Sequence, residues 1–171
     1  MAKALSGRSA IVTPEQRGSV VVFDKQSDEQ NPKVLSELGA RLSRELDCAV
    51  LAVLNHDDDI LWYQLYLAGG LADEYDSAPG YFDAAEEPSA PAGGDAKRLC
   101  GAFGSVKIAE VDNVLRKSAF SDGGYVFEID RHAELARLVG IQSFSVDAGY
   151  RYVTKSEVPA GLKKEDLVKV T

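Results

Sequence analysis

Cysteine and histidine are scarce in this chain, which has two of each among its 171 residues. Cys48 and Cys100 lie far apart, so the sequence excludes a disulfide framework and the Cys-x-x-Cys spacing of zinc sites. Neither His56 nor His132 lies in a pattern typical of cysteine hydrolases or of zinc ligands. We therefore expect both cysteines to be buried free thiols in a reducing cytoplasm.

Long apolar runs and an excess of basic residues are also absent. No stretch approaches the roughly 18 apolar residues of a membrane span, and the first residues lack the apolar segment of a secretory signal. The chain has 27 acidic and 19 basic residues and a net charge of −8, whereas general nucleic-acid binding needs a basic surface. The sequence therefore predicts a cytoplasmic protein that binds neither nucleic acid nor a membrane.

The common catalytic signatures are missing as well. The sequence contains no nucleophile elbow, no phosphate-binding loop, no dinucleotide-binding glycine pattern and no HExxH metal motif. Hydrophobic residues nevertheless make up 45% of the chain, which is enough for the core of one domain. These features favour a globular protein without catalytic activity, with an enzyme as the alternative.

The first half of the chain predicts a strand, a helix and a β-hairpin. The β-branched run 19–23 is typical of a strand. Asn31 and Pro32 mark a helix start, because the Asn side chain caps a helix and proline suits its first turn. Leucines then recur at steps of three and four residues. The apolar run 48–54 predicts a central strand buried on both faces, and 60–67 predicts a second strand paired with it.

The second half predicts short helices and one more strand. Asp95 is expected to cap one short helix, and a second is expected around 108–117. Asp130 is expected to cap a third helix, which ends at Gly140. Alternating apolar residues over 144–152 predict a half-buried strand.

The order of strand, helix, strand, strand, helix and strand predicts an α+β fold with a ferredoxin-like (split βαβ) core of about four strands and two main helices. We expect a flexible arm over 1–17, a single domain over 18–155 and a tail over 156–171. Within the domain, 68–128 is predicted to be a long helical and loop insertion. Its stretch 84–94 is rich in Ala, Pro and Glu and is expected to be a mobile loop.

The distribution of charge is the most unusual feature of the sequence. From Glu45 to Ala96 there is no Lys or Arg, while twelve Asp and Glu residues fall in the same span. Interspersed charges would suffice for solubility, because a block of like charges repels itself in a compact protein. A solvated surface is one interpretation of this span, and a basic protein partner or a divalent cation are the other two.

Carboxylates in the hairpin turn suggest a metal-dependent enzyme as one alternative. Oxygen-bearing side chains recur at Asn55, Asp57 and Asp59, as in an EF-hand loop, but the glycine and the bidentate glutamate of that loop are missing. A second acidic group follows the hairpin and would approach the first if the hairpin folded back. The candidate ligands of Mg²⁺, Mn²⁺ or Ca²⁺ are Asp57, Asp59, Asp73 and Asp76.

Aromatic residues concentrate in the same acidic span, which favours a protein partner. Aromatic anchors supply binding energy, and acids around them attract a basic surface. Loop aromatics beside Pro79 and Gly80 are less easily absorbed by a core than strand aromatics. The predicted contact residues are Trp62, Tyr75, Asp76, Tyr81 and Phe82. We therefore expect a non-catalytic binding or regulatory module for a basic protein, without a cofactor and similar in role to an immunity protein or an adaptor. A structural homodimer subunit is a further alternative.

Overall fold

The computed structural model describes residues 3–81, 90–118, 123–142, 146, 148–155 and 158–171. Within this part of the chain it is a mixed α+β protein with two antiparallel sheets and five α-helices. The strands are β1 (Ala10–Val12), β2 (Val22–Asp24), β3 (Val50–His56), β4 (Ile60–Leu67), β5 (Gly70–Asp76), β6 (Ala92–Gly93) and β7 (Val168–Val170). The helices are α1 (Pro32–Leu46), α2 (Ala96–Phe103), α3 (Ile108–Arg116), α4 (Glu128–Val139) and α5 (Tyr150–Thr154).

The predicted N-terminal helix is confirmed as α1. The side chain of Asn31 accepts a hydrogen bond from the backbone N–H of Lys33, and Pro32 occupies the first turn, so the helix begins where its cap and its proline require. It ends at Leu46, and the C-cap residue Asp47 adopts a left-handed conformation with φ of +50°. The buried leucines of this helix, Leu38 and Leu42, form its apolar face.

Helix α1 lies between the two sheets. Leu38 and Leu42 pack in one cluster with residues of the N-terminal segment and of β1. On its other side, Gly39 allows the ring of Tyr66 and the side chain of Ala52 to approach the helix backbone, since a Cβ there would lie 2.8 Å from the ring. The helix therefore joins the three-stranded sheet to the four-stranded sheet.

The three-stranded sheet has the order β2-β1-β7, with β1 in the centre. The stretch 1–17, which the sequence presented as a flexible arm, supplies this central strand and buries Leu5 and Ile11, which are 0% and 1% exposed. The stretch 156–171, predicted as a tail, supplies β7, which pairs with β1. Strands β1 and β7, which are far apart in the sequence, are thus held together by backbone hydrogen bonds.

The four-stranded sheet is a meander with the order β3-β4-β5-β6. The predicted hairpin of β3 and β4 is confirmed, with His56 opposite Ile60 beside the turn. The predicted central position of β3 is wrong for the described strands, because β3 lies at an edge of the sheet. Its apolar composition reflects the layers packed on its two faces.

Helices α2, α3 and α4 pack on the face of this sheet opposite α1. Their buried side chains form one core cluster with Leu61, Tyr63 and Tyr75 of the sheet. The segment 68–128, predicted as an insertion, therefore contributes β5, α2 and α3 to the main core. Of the predicted loop 84–94, residues 84–89 lie outside the described residues, and Ala92–Gly93 pairs with β5.

The strand pairing does not confirm a ferredoxin-like arrangement. Strand β2 pairs antiparallel with β1, whereas the predicted plait requires it to run parallel beside the strand that follows α1. The predicted strand 144–152 also fails at its end, because Tyr150 begins the helix α5; residues 144, 145 and 147 lie outside the described residues. A three-residue strand has few side chains to specify its neighbour, so tertiary packing decides the pairing.

Three local expectations have different outcomes. The side chain of Asp95 caps α2, as predicted, whereas α4 begins at Glu128 with Phe127 as its N-cap residue, before the predicted cap Asp130. Cys100 is buried as predicted, but Cys48 is exposed because it follows the end of α1. None of the helices in the described part of the chain has the length and apolar content to cross a membrane.

Candidate partner-binding surface

The turn between β3 and β4 carries three consecutive aspartates at one end of the hairpin. Asp57 and Asp58 have φ values of +49° and +68°, a conformation that Asp and Asn tolerate better than most residues. The backbone N–H of Asp59 donates to the carbonyl of His56 and closes the turn at 2.9 Å. The Asp57 side chain is 74% exposed, so the turn presents negative charge to solvent.

Asp58 connects this turn to α4. Its Oδ1 accepts a hydrogen bond from the backbone N–H of Ile129 at 2.8 Å, and its carbonyl accepts one from the backbone N–H of Glu128 at 2.9 Å. These donors belong to the first turn of α4, which has no earlier helical carbonyl to bond. Asp58 therefore acts as a cap from outside the helix and fixes α4 beside the acidic turn.

Asp59 holds an exposed aromatic side chain. The hydroxyl of Tyr81 donates to its Oδ2 at 2.7 Å, while 45% of Tyr81 is exposed. The pKa of Tyr81 is raised, first by this hydrogen bond and then by desolvation and the negative charges of Asp59 and Asp57. Both carboxylates thus lie close enough to the phenol to affect its ionisation.

Two apolar residues that the sequence analysis did not select complete this surface. Val126 and Phe127 precede α4 and are 63% and 54% exposed. The hydrogen bond from Glu128 to Asp58 places Phe127 beside the turn, and Val126 is its neighbour in sequence. Two adjacent apolar residues just before an acidic helix start are the signal that the sequence offers for them. Only the packing of α4 on the β3–β4 turn brings Phe127 close to the carboxylates. We call Asp57, Asp59, Tyr81, Val126 and Phe127 the acidic–aromatic end.

The other predicted contact residues have different positions. Tyr75 is only 1% exposed, and its ring stacks on that of Tyr63 with centroids 5.3 Å apart, so its prediction as a contact residue is wrong. Trp62 is half-buried and lies opposite Asp76 on the neighbouring strand. Asp76 accepts a hydrogen bond from the backbone N–H of Ala78 at 2.9 Å, and its burial raises its pKa. Phe82 lies outside the described residues.

The four predicted metal ligands do not converge. Asp73 accepts hydrogen bonds from the Tyr63 hydroxyl and from the backbone N–H of Asp95, both at 2.9 Å, and so binds β5 to the start of α2. Within the described ranges, no group of three or more His, Cys, Asp or Glu side chains is arranged to hold a metal ion. The prediction that Asp57 and Asp59 join Asp73 and Asp76 in a site is therefore wrong for these residues.

A buried charged pair lies behind the acidic–aromatic end. Arg131 is 0% exposed and donates to both carboxylate oxygens of Glu128, at 2.7 and 3.1 Å. Its guanidinium also donates to the Val114 carbonyl at 2.7 Å and lies over the rings of Tyr125 and Tyr75, 4.5 and 5.9 Å from their centroids. Burial raises the pKa of Glu128, although its hydrogen bond to Arg131 and the charge of that residue oppose the shift.

Solvent does not reach this pair, so we assign it a structural role: Arg131 of α4 contacts Tyr75 of the sheet and Val114 of α3. Arg131 carries no signal of burial in the sequence, because helical spacing alone does not show which face of α4 is buried. His132 follows it on α4, and burial lowers the pKa of its imidazole to about 4. Its Nδ1 has no hydrogen-bond partner among the described residues.

Comparisons of the chain with models of protein families, with curated proteins and with solved structures found no match. The functional interpretation therefore depends on the geometry and charge of this chain.

Proposed function

We propose that the protein is a non-catalytic binding or regulatory module that presents its acidic–aromatic end to a basic protein partner. The observation that carries this proposal is the exposed Tyr81 ring, which is fixed by Asp59 beside the exposed Asp57. A fixed aromatic side chain loses little conformational freedom on binding, and carboxylates beside it attract a cationic surface. A reducing compartment such as the cytoplasm fits the two free thiols.

The electrostatic support comes from the ion pairs that the described residues form. Arg8, Arg116 and Arg151 form ion pairs with acids of their own neighbourhoods. By contrast, no Lys or Arg of the described residues forms an ion pair with Asp57 or Asp59. Their charge remains available to steer a basic partner toward this end.

The exposed apolar side chains supply a second contribution. Charged groups at the edge of an interface change the rate of association more than the affinity, so an acidic surface alone gives weak binding. Phe127 and Val126 add apolar area beside the carboxylates. Burial of such area contributes about 25 cal/mol per Å² before the cost of association is subtracted.

The experiment that tests this function compares two neutralised variants with equal charge changes. Asp57→Asn/Asp59→Asn neutralises the exposed Asp57 and the half-buried Asp59 and keeps residues that tolerate the turn. Glu37→Gln/Glu45→Gln neutralises two exposed acids of α1 and serves as the control. A captured partner is identified, purified and titrated against each variant by calorimetry over a series of salt concentrations.

We expect the turn variant to bind the partner about three- to tenfold more weakly and with a smaller dependence on salt, while the control variant binds as the wild type does. Equal affinities of the two variants would show that this end is not the interface.

A further inference from the structure

Tyr81 and Phe127 lie at the β3–β4 turn, with Val126 next to Phe127 in sequence, and we call these three exposed side chains the patch. The carboxylates of the turn restrict what covers it. Burial of the patch under a neutral or acidic segment would remove Asp57 and Asp59 from water without a cationic partner, which is costly. A covering segment with positive charge at this border gives the carboxylates partners. The charge complementarity therefore selects a cationic segment with apolar residues.

The arrangement of Tyr81 and its neighbours further distinguishes the two basic side chains. The Tyr81 hydroxyl is 2.7 Å from Oδ2 of Asp59, so an aromatic face and a carboxylate stand at a fixed separation. A guanidinium group is planar, stacks on an aromatic face and directs several N–H groups toward a carboxylate in its own plane. An ammonium group is a compact and strongly hydrated charge, which gains less from the ring.

The interior of the same protein contains this combination. Arg131 lies 4.5 Å from the Tyr125 ring centroid and donates to both oxygens of Glu128. The Tyr125 ring also has a lysine over it, because Nζ of Lys117 is 5.1 Å from the ring centroid. Arg131 thus shows that an aromatic ring and a carboxylate of this fold, placed side by side, accommodate a guanidinium in both ways at once.

We infer that the patch of Tyr81, Val126 and Phe127 docks an arginine-bearing segment of the partner, with an arginine over the Tyr81 ring, hydrogen-bonded to Asp57 or Asp59, and apolar residues against Val126 and Phe127. This inference rests on the proposed function and specifies the chemistry of the partner. Its recognition element is one arginine flanked by apolar side chains, and lysine in its place binds less tightly.

The test uses two labelled octapeptides, one of alternating Arg and Leu and one of alternating Lys and Leu, titrated against the full chain by fluorescence anisotropy at one ionic strength. We expect the arginine peptide to bind about two- to fivefold more tightly than the lysine peptide, as a cation–π contact at an exposed site implies. Tyr81→Leu removes the ring and is expected to reduce the preference for arginine, while the carboxylates remain. Tyr81→Phe keeps the ring and is expected to retain the preference.

The acidic variant separates this inference from the proposed function. Asp57→Asn/Asp59→Asn is expected to weaken the binding of both peptides, whereas Glu37→Gln/Glu45→Gln leaves both unchanged. If the wild type binds both peptides equally and the acidic variant binds both more weakly, the arginine preference would be overturned and the proposed acidic binding surface would be retained. A preference as large in Tyr81→Leu as in the wild type would also overturn the inference. Binding that is absent, or that is the same for the acidic variant and its control, would overturn both.

Discussion

Replacement of Glu128 by Gln tests how much of the fold depends on the buried pair with Arg131. The substitution keeps the shape of the side chain and removes its charge. Arg131 is 0% exposed and a guanidinium does not lose its proton in a protein, so its charge stays in the core without a counterion. Glu128 is the partner to change, because a carboxyl left without Arg131 can take up a proton and avoid the cost.

The expected loss is large relative to the stability of a domain of this size. Removal of one partner of a buried ion pair costs about 3–5 kcal/mol, whereas a typical native protein is stable by about 5–15 kcal/mol. Arg131 keeps its bond to the Val114 carbonyl and its contact with the Tyr125 ring, and the Gln carbonyl still accepts one bond. We therefore expect a loss near the lower limit, about 3 kcal/mol.

Equilibrium unfolding in urea measures this loss, and a double variant shows its cause. Glu128→Gln/Arg131→Met removes the uncompensated charge and is therefore expected to be more stable than Glu128→Gln alone. Asp112→Asn breaks the exposed pair with Arg116, at 3.4 Å, and is expected to cost less than about 1 kcal/mol. A loss below about 1 kcal/mol for Glu128→Gln, or a double variant as unstable as the sum of its single changes, would refute the reasoning.

Three further contacts give expectations of their own. Gly39→Ala places a methyl group 2.8 Å from the Tyr66 ring and is expected to lower the stability by about 1–3 kcal/mol. Gly101→Ala in α2 meets no heavy atom within 4 Å and is expected to raise the stability by about 0.4–1 kcal/mol; melting temperatures that shift in the same direction for both variants would contradict this. Because burial lowers the folded-state pKa of His132 from 6.5 to about 4, the unfolded chain binds the proton first, and the free energy of unfolding is expected to fall as pH decreases across this window. When unfolding is measured at a series of pH values, His132→Leu should make the free energy of unfolding depend less on pH, and an unchanged dependence would refute this expectation. Burial raises the pKa of Asp24, but hydrogen bonds and the guanidinium of Arg8 bring it below 3.8 overall, so the stabilisation by ionised Asp24 is present above that pH and is lost below it. In acid unfolding, Asp24→Asn should start from a lower stability than the wild type and change less below pH 3.8. A profile parallel to that of the wild type would count against a stabilising Arg8–Asp24 ion pair.

Elements with strong local signals could be predicted from the sequence. Helix α1 begins at Asn31 and Pro32 because a side-chain cap and a proline act within one turn, without help from distant residues. The hairpin of β3 and β4 likewise joins strands through a short turn whose aspartates accept positive φ. Both predictions depend on contacts between residues close in sequence, and the structure confirms both.

The partners of the strands could not be predicted in this way. Strand β2 has three residues, and its apolar side chains suit either sheet, so its pairing with β1 depends on how α1 separates the two sheets. Strand β3 was predicted in the centre because it is apolar, but it lies at the edge of the four-stranded sheet, with β4 as its neighbour. Its apolar residues are explained by α1 on one face and α4 on the other. An apolar run shows that both faces are covered and does not show by what.

The same distinction applies to the candidate site. The sequence by itself determined that a long span without Lys or Arg carries many acids and aromatics, and it selected Tyr81 as a contact residue. Only the tertiary structure decided which of these groups meet. In the folded protein Tyr75 is buried against Tyr63. Asp58 caps α4, and this contact places Phe127 beside the acidic turn. Charge and aromatic content are properties of the sequence, whereas the burial of a side chain depends on the elements that pack upon it from distant parts of the chain.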